Sequence, residues 1–378
     1  GKNATSPLYQ EGPGVCYYNK SRWVLPFNTE QCRRRFMSIL ITGGAGFIGS
    51  HFVRLMVNQG RQVVVLDKLT YAGNLENLKD IVENSKTSKL FKLYKGDICN
   101  QELVEHIFSS ENIDTIVNFA AESHVDRSIL SASAFIDTDM KGVFILLEAS
   151  KRFGIKKFIQ ISTDEVYGTA YQGAFKETDA LNPSNPYSAS KAGGDRLAYA
   201  YWVTYKLPII VTRASNNYGT YQYPEKFIPL FITNAIEDRK LPLYGDGRQV
   251  RDWIHVEDHC AAIDFLMIRG KDGEVYNIGG GNERYNIDVA NLIIDELKKP
   301  KTLIEHVKDR EGHDRRYALD CTKLMSAGWK PKIKFENGLR DTIKWYMNNQ
   351  SWWKRIKNGE FMEYYNRQYS HRFAPAKS

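Results

Sequence analysis

Ile39-Leu40-Ile41-Thr42-Gly43-Gly44-Ala45-Gly46-Phe47-Ile48-Gly49 runs from an apolar strand pattern straight into a glycine cluster. The cluster satisfies Gly-x-Gly-x-x-Gly from Gly44 and Gly-x-x-Gly-x-x-Gly from Gly43. Glycines suit a tight strand-to-helix turn, because a backbone without Cβ lets a pyrophosphate approach and a helix pack close to its strand. The helix that follows would turn its unpaired N–H groups towards the phosphates. Asp67 closes the next apolar run at about the spacing expected for an acid that bonds a ribose 2′-hydroxyl. That carboxylate would repel a 2′-phosphate, so the pattern favours NAD over NADP, although Lys68 beside it could accept a phosphate. Asp97, after Lys95-Gly96, is either an adenine contact or a turn aspartate.

Outward from this stretch, apolar strands alternate with helical patterns. Strands are expected at Ile39–Thr42, Val63–Leu66, Phe91–Tyr94, Thr115–Phe119, Lys157–Ile161 and Ile209–Thr212. Helices are expected at Ile48–Asn58, Gln101–Ser109 and Gly142–Arg152. The pattern predicts an α/β fold, a doubly wound (Rossmann) parallel sheet with a smaller C-terminal substrate-binding region. Residues 37–215 are expected to be mainly the dinucleotide-binding part. Residues 216–370, richer in Gly, Pro, Tyr and Asn loops, should mainly hold substrate, with the chain crossing between the two. Residues 1–36 lack a clear period and read as an appended, non-native or poorly ordered extension, with a start at Met37 fitting the pattern; 371–378 read as a tail. The aromatic end (Trp352, Trp353, Phe361, Tyr364, Tyr365) reads as a packed terminal helix.

The 378 residues with 42% hydrophobic content suit an ordinary soluble core. The net charge of +8 is concentrated at the ends: residues 1–36 contribute +4 and 371–378 another +2, leaving +2 for the body. That leaves no polyanion surface, so neither nucleic acid nor membrane is expected as a partner. Five scattered cysteines without Cys-x-x-Cys spacing read as free thiols, which argues for a reducing, cytoplasmic location and no metal site. The Asn3 and Asn19 sequons then read as chance matches.

Two further segments carry chemistry. Ser162-Thr163-Asp164-Glu165-Val166-Tyr167-Gly168 puts adjacent carboxylates at the carboxyl end of a strand, where open α/β sheets bind ligands. Such a pair divides into proton donor and acceptor, because like charges side by side do not ionise equally. Tyr187-Ser188-Ala189-Ser190-Lys191, after Pro186, puts a phenol and an ammonium on one helix face. The ammonium, with a cationic nicotinamide, is expected to lower the phenol's pKa so that it takes a proton from a sugar hydroxyl as hydride leaves.

These segments resemble the extended short-chain dehydrogenase/reductases and, within them, the nucleoside-diphosphate-glucose 4,6-dehydratases, the dTDP-glucose type above all. The similarity runs over about residues 37–370, through TGGAGFIGS (42–50), LDKLTYAGN (66–74), GDI (96–98), NFAAESHVDRSI (118–129), STDEVYG (162–168) and NPYSASKA (185–192). It continues through TRASNNYG (212–219), YQYPEKFIP (221–229), RDWIHVEDH (251–259), YNIGGGNE (276–283) and GHDRRYALD (312–320). The resemblance implies an NAD-dependent loss of water from a nucleoside-diphosphate glucose, dTDP- or UDP-linked. Thr163, Asp164, Glu165, Tyr187 and Lys191 would be catalytic: Tyr187 as base at the C4 hydroxyl, Glu165 as base at C5 and Asp164 as acid at C6. NAD would rest on Gly43, Gly46, Phe47, Ile48, Gly49, Asp67, Lys68, Thr70, Asp97, Ile98, Ala120 and Ala121, together with Tyr187 and Lys191. The sugar would meet Ser123, His124, Asn216, Glu225 and Lys226. Arg251, Asn282 and Arg310 would hold the diphosphate, with Tyr244 and His313 near the nucleoside. A homodimer is a further family expectation.

The chain departs from the family pattern at Asp139, where Asn is usual, at Val143 (Thr), Gln249 (Asn) and Glu311 (Pro). Two other readings remain at this point. A 4-epimerase or decarboxylase of the same superfamily is one, but an epimerase has no use for Asp164 and Glu165. A non-catalytic NAD-binding regulator is the other, and it could lose Tyr187 or Lys191 freely.

Overall fold

The computed structural model describes residues 15–17, 38–309, 312–369 and 372. Most of the expected extension and tail, both sequons, Met37, Arg310 and Glu311 therefore lie outside the described residues. Among the described residues, no helix is long and apolar enough to cross a membrane.

Parallel strands form the central sheet in the order Phe91–Lys95, Gln62–Asp67, Ser38–Thr42, Ile113–Asn118, Lys157–Thr163, Ile209–Ala214, Val275–Ile278. Val15–Tyr17 adds a three-residue strand beside Phe91–Lys95, where the edge offers unpaired backbone groups. That segment showed no strand period in the sequence. Six of the seven long-range strands stand within two residues of their expected bounds. Val275–Ile278 was not anticipated, because four residues in a loop-rich region give too little pattern.

Successive side chains point to opposite faces, and both faces are covered. Ile39, Ile41, Val63 and Val65 pack beneath Phe52, Val53 and Met56 of the helix Phe47–Asn58. Leu40, Val64 and Leu66 face Leu103, Ile107 and Leu146 on the other side. Each such fully enclosed side chain contributes about 1.5–3 kcal/mol relative to exposure. Hence the strands read as unbroken apolar runs rather than alternating ones.

From Ser38–Thr42 the chain winds outward through Gln62–Asp67 to Phe91–Lys95, then returns to place Ile113–Asn118 on the opposite flank. The connections above Ser38–Thr42 and Ile113–Asn118 therefore diverge and open a crevice at the strands' carboxyl ends. Beyond residue 215, Val250–His255 pairs with Asn216–Tyr218 and Glu283–Tyr285, and Leu241–Tyr244 pairs with Ile304–Val307. Helices Phe227–Ile236, Asn286–Glu296 and Phe335–Asn348 enclose a separate core around Phe231, Trp253, Tyr346 and Trp353. Trp352, Phe361 and Tyr365 complete it, so the aromatic end is packed. Helix Val256–Arg269 returns to the main sheet, adding Cys260 and Ile263 to the core above Phe47–Asn58.

Candidate active site

The glycine turn leaves no room for side chains. A Cβ on Gly43, which stands at φ +66°, would lie 2.8 Å from the Ala120 nitrogen, and one on Gly49 would lie 2.2 Å from the Gly43 carbonyl oxygen. Helix Phe47–Asn58 starts at Gly46 without a side-chain cap, so its first N–H groups face the crevice. Below the turn, the Thr42 hydroxyl donates to Asn118 Oδ1 (2.5 Å) and Asn118 Nδ2 to Gln160 Oε1 (2.9 Å), fixing three neighbouring strands.

Asp67 accepts from the backbone N–H of Ala45 (2.9 Å) and of Leu69 (2.8 Å). Burial raises its pKa despite those two bonds. Lys68, the cation that could have met a phosphate, is paired with Asp97 at 2.8 Å. A cradle that a Cβ would fill, an open helix start and a fixed carboxylate together fit a dinucleotide with a free ribose hydroxyl.

The reacting groups come from two adjoining elements. Strand Lys157–Thr163 ends in a tight turn, Asp164–Tyr167, stopped by Gly168 at φ +78°. Thr163 Oγ1 accepts from the Glu165 N–H (3.3 Å) and donates to Asp164 Oδ1 (3.1 Å). Asp164 is 3% exposed, and its Oδ2 has no hydrogen-bond partner among the described residues. Burial first, and the charge of Glu165 second, push the Asp164 carboxyl well above the usual carboxylate range. Glu165 is half-buried, with Oε2 3.4 Å from the Tyr317 hydroxyl.

Helix Pro186–Tyr205 carries Tyr187 and Lys191. Its start is fixed by a capping box, in which Asn185 Oδ1 accepts from the Ser188 N–H (2.9 Å) and Ser188 Oγ from the Asn185 N–H (3.2 Å). The Tyr187 N–H donates to Ser128 Oγ (3.2 Å), and Lys191 Nζ donates to the Ile161 carbonyl (2.7 Å). Burial, then Glu165 and Asp139, raise the Tyr187 phenol well above its ordinary value. Burial lowers Lys191, against the pull of Asp139 and Asp195. The sequence led us to expect a phenol acidified by its lysine; in the protein alone, enclosure and nearby carboxylates outweigh the ammonium.

All the residues expected to be catalytic or to hold the cofactor line one cleft of about 300 Å³ at the crevice, and Ser123, Asn216, Glu225 and Lys226 line it too. His124, Tyr244, Arg251, Asn282 and His313 do not. His124 is buried against Tyr364, ring centroids 5.4 Å apart. The Arg251 guanidinium donates to the carbonyls of Val250 (2.8 Å) and Asp314 (2.9 Å) and lies over the Tyr317 ring. Asn282 Nδ2 donates to Gly280 O (2.9 Å). The Tyr244 hydroxyl donates to Asp126 (3.2 Å), and its ring stands 5.8 Å from that of His313, which is paired with Asp309 at 2.6 Å. These side chains form an outer group whose polar ends are already engaged.

Some participants escaped the sequence reading. Arg127 donates to Glu225 Oε2 from Nε (3.2 Å) and Nη2 (3.1 Å), its guanidinium held between the rings of Tyr71 (3.9 Å) and Tyr364 (4.5 Å). Glu122 lines the cleft, and Tyr317 reaches Glu165 from far along the chain. For Arg127 the only available signal was its place in NFAAESHVDRSI, directly after Asp126.

The GDP-mannose 4,6 dehydratase family matches residues 40–342. A dTDP-glucose 4,6-dehydratase of Streptomyces niveus is 47% identical over 329 residues, covering 85% of this chain and 96% of the relative. Among solved structures, the dTDP-glucose 4,6-dehydratase of Bacillus anthracis in complex with NAD is similar with a TM-score of 0.79 at 50% identity, covering 85% of this chain and 100% of that one. The Streptomyces venezuelae enzyme DesIV, also with NAD bound, gives a TM-score of 0.82 at 44% identity over the same shares. By residue pattern, fold and overall likeness, the chain belongs to the GDP-mannose 4,6 dehydratase family.

Proposed function

We infer that the protein dehydrates dTDP-glucose to the 4-keto-6-deoxy sugar nucleotide, using NAD that is regenerated in each cycle. The observation that carries this reading is the enclosed Asp164, bonded to Thr163 and raised in proton affinity by burial, beside half-buried Glu165 in one cleft with Tyr187. The glycine turn, Asp67 and the helix start would hold NAD, which supplies a hydride acceptor at C4 and a hydride donor at C6. Tyr187 takes the C4 hydroxyl proton, and a cationic ring in the cleft would offset the burial that now holds this phenol up. Thr163, beside Asp164, steadies the C4 oxygen. With a ketone at C4 the C5 proton becomes acidic, and Glu165 removes it. Asp164 gives its proton to the departing C6 hydroxyl, so that water leaves and the C5–C6 double bond forms. Return of a proton to C5 and of hydride to C6 completes the sequence.

In this reading Ser123, His124, Asn216, Glu225 and Lys226 serve the sugar, Arg251, Asn282 and Arg310 the diphosphate, and Tyr244 and His313 the nucleoside. A diphosphate would draw Arg251 from its two carbonyls. Residues 37–215 then mainly carry NAD, and 216–370 the sugar nucleotide. Helices Val143–Phe153 and Pro186–Tyr205 expose Phe144, Tyr199 and Val203, an apolar face that supports a homodimer. Free thiols at Cys99, Cys260 and Cys321 support a reducing cytoplasmic setting.

The test is incubation with NAD and either dTDP-glucose or UDP-glucose, following product by mass. Loss of one water, faster from dTDP-glucose, is expected. A galactose isomer of unchanged mass would overturn the dehydratase reading. Asp164→Asn and Glu165→Gln should each slow elimination by about 10²–10⁴-fold while NAD stays bound.

A further inference from the structure

Asp139 stands on a single π-helical turn, Asp137–Gly142, pressed against helix Pro186–Tyr205. The approach is close: a Cβ on Gly194 would lie 2.3 Å from the Asp139 carbonyl oxygen, and one on Gly193 would meet Met140 at 3.0 Å. The Asp139 side chain is 2% exposed. Its Oδ2 accepts from Ser190 Oγ (2.7 Å), while Oδ1 is buried and has no hydrogen-bond partner among the described residues. Ser190 sits three residues after Tyr187 and directly before Lys191.

The Ser190 hydroxyl has one proton and two acceptors in reach, Asp139 Oδ2 and the Tyr187 carbonyl (2.8 Å). An ionised Asp139 claims that proton. A protonated Asp139 lends its own to Ser190 and releases the hydroxyl to Tyr187. The bare Oδ1 favours the protonated form, because a buried anion is stable only when its lone pairs are met. Charged and titratable groups act here from each packed element. Lys191 and Glu122 act on Asp139, and Asp139 in turn acts on Lys191 and Tyr187. Asp195 also acts on Lys191, and Glu165 and Asp164 on Tyr187. Asp137 and Lys141, on the same turn, are exposed.

We propose that Asp139 is a positioning residue for the reacting pair, one whose carboxyl group, through Ser190 and Lys191, sets how readily Tyr187 gives up its proton. Burial pushes that carboxyl up to about 7, so its charge changes across the neutral range. The carboxyl is thus a titrating group beside the Tyr187–Lys191 dyad. The proposal rests on the reading of Tyr187 as the C4 proton acceptor.

The phenol can be followed without turnover, by NMR of the NAD-loaded protein labelled at tyrosine Cζ, with the Tyr187 signal assigned from Tyr187→Phe. Asp139→Asn removes a negative charge near the phenol and should lower its midpoint by about one pH unit with NAD content unchanged. Asp139→Ser, smaller and equally neutral, should give the same shift if the asparagine variant folds poorly. An unchanged Tyr187 midpoint in a folded, NAD-loaded neutral variant overturns the proposal. In turnover, the rising limb of the pH profile should move to lower pH by the same amount. A moved phenol with an unmoved limb would support the Asp139 assignment and count against Tyr187 as the base.

Discussion

Asp164 and Glu165 are adjacent in the chain and line one cleft, yet the first is enclosed and bonded to Thr163 while the second is only half-buried. Enclosure raises the proton affinity of the first, and the neighbour's charge adds to it, so an acid and a base arise from two similar side chains. Glu225 is held by a different contact, an ion pair. Its side chain is 1% exposed and keeps its place through Arg127, wedged between Tyr71 and Tyr364. Arg127→Leu would leave a buried carboxylate without its counter-charge, at a cost of about 3 kcal/mol in urea unfolding. KM for the sugar nucleotide should rise while NAD affinity holds. The double variant Arg127→Leu, Glu225→Leu should recover part of the stability. Equal urea midpoints for wild type and Arg127→Leu would show that the clamp holds no charge in place.

Helix Pro186–Tyr205 turns Tyr187, Lys191 and Ala198 inward and Tyr199 and Val203 outward, so one element serves both the cleft and an outer surface. If that surface and Phe144 join two copies, Phe144→Glu with Val203→Glu places like charges in a buried apolar seam. The outcome should be a monomer by sedimentation equilibrium, where a stable dimer needs about 1,000 Å² or more of matched surface. A variant that stays dimeric, or a wild type that is monomeric, would put the interface elsewhere or nowhere. Elements like this one were largely legible in the sequence, because capping, glycine placement and apolar period act within a few residues. Pro186 and Gly43 announce their roles locally, whereas the Asn185 cap emerged only in the structure. Arg127 and Tyr317 do not, since their partners Glu225 and Glu165 are about a hundred residues or more away. Nor could spacing reveal that Arg251 spends its guanidinium on two backbone carbonyls, or that Val275–Ile278 returns to the sheet.

Across the whole molecule, enclosed histidines gather where the chain beyond residue 215 packs against the helix after the glycine turn. His51, on the helix after the glycine turn, bonds to the Thr220 carbonyl (3.0 Å), and His259 Nδ1 is paired with Asn217 Oδ1 (2.9 Å). Burial lowers His51 to about 4 and His259 to about 3, and His124 and His255 move in the same direction. Below the ordinary value near 6.5 the unfolded chain protonates these rings and the folded protein does not. Their contribution is therefore intact above that pH and is lost as the pH falls towards about 4. Buried carboxyls such as Asp67 and Asp139 have raised values and oppose the trend, so the net acid profile mixes both signs. A difference measurement separates them. His51→Gln keeps an amide donor for Thr220 and removes only the ring's titration, leaving the carboxyls common to both proteins. Between pH 6.5 and 4 the stability advantage of wild type over this variant should shrink by about 3 kcal/mol, read from urea midpoints across the range. An advantage that stays constant with pH would mean that His51 takes its proton in the folded protein. The contact between that helix and Thr220 would then admit water at that ring.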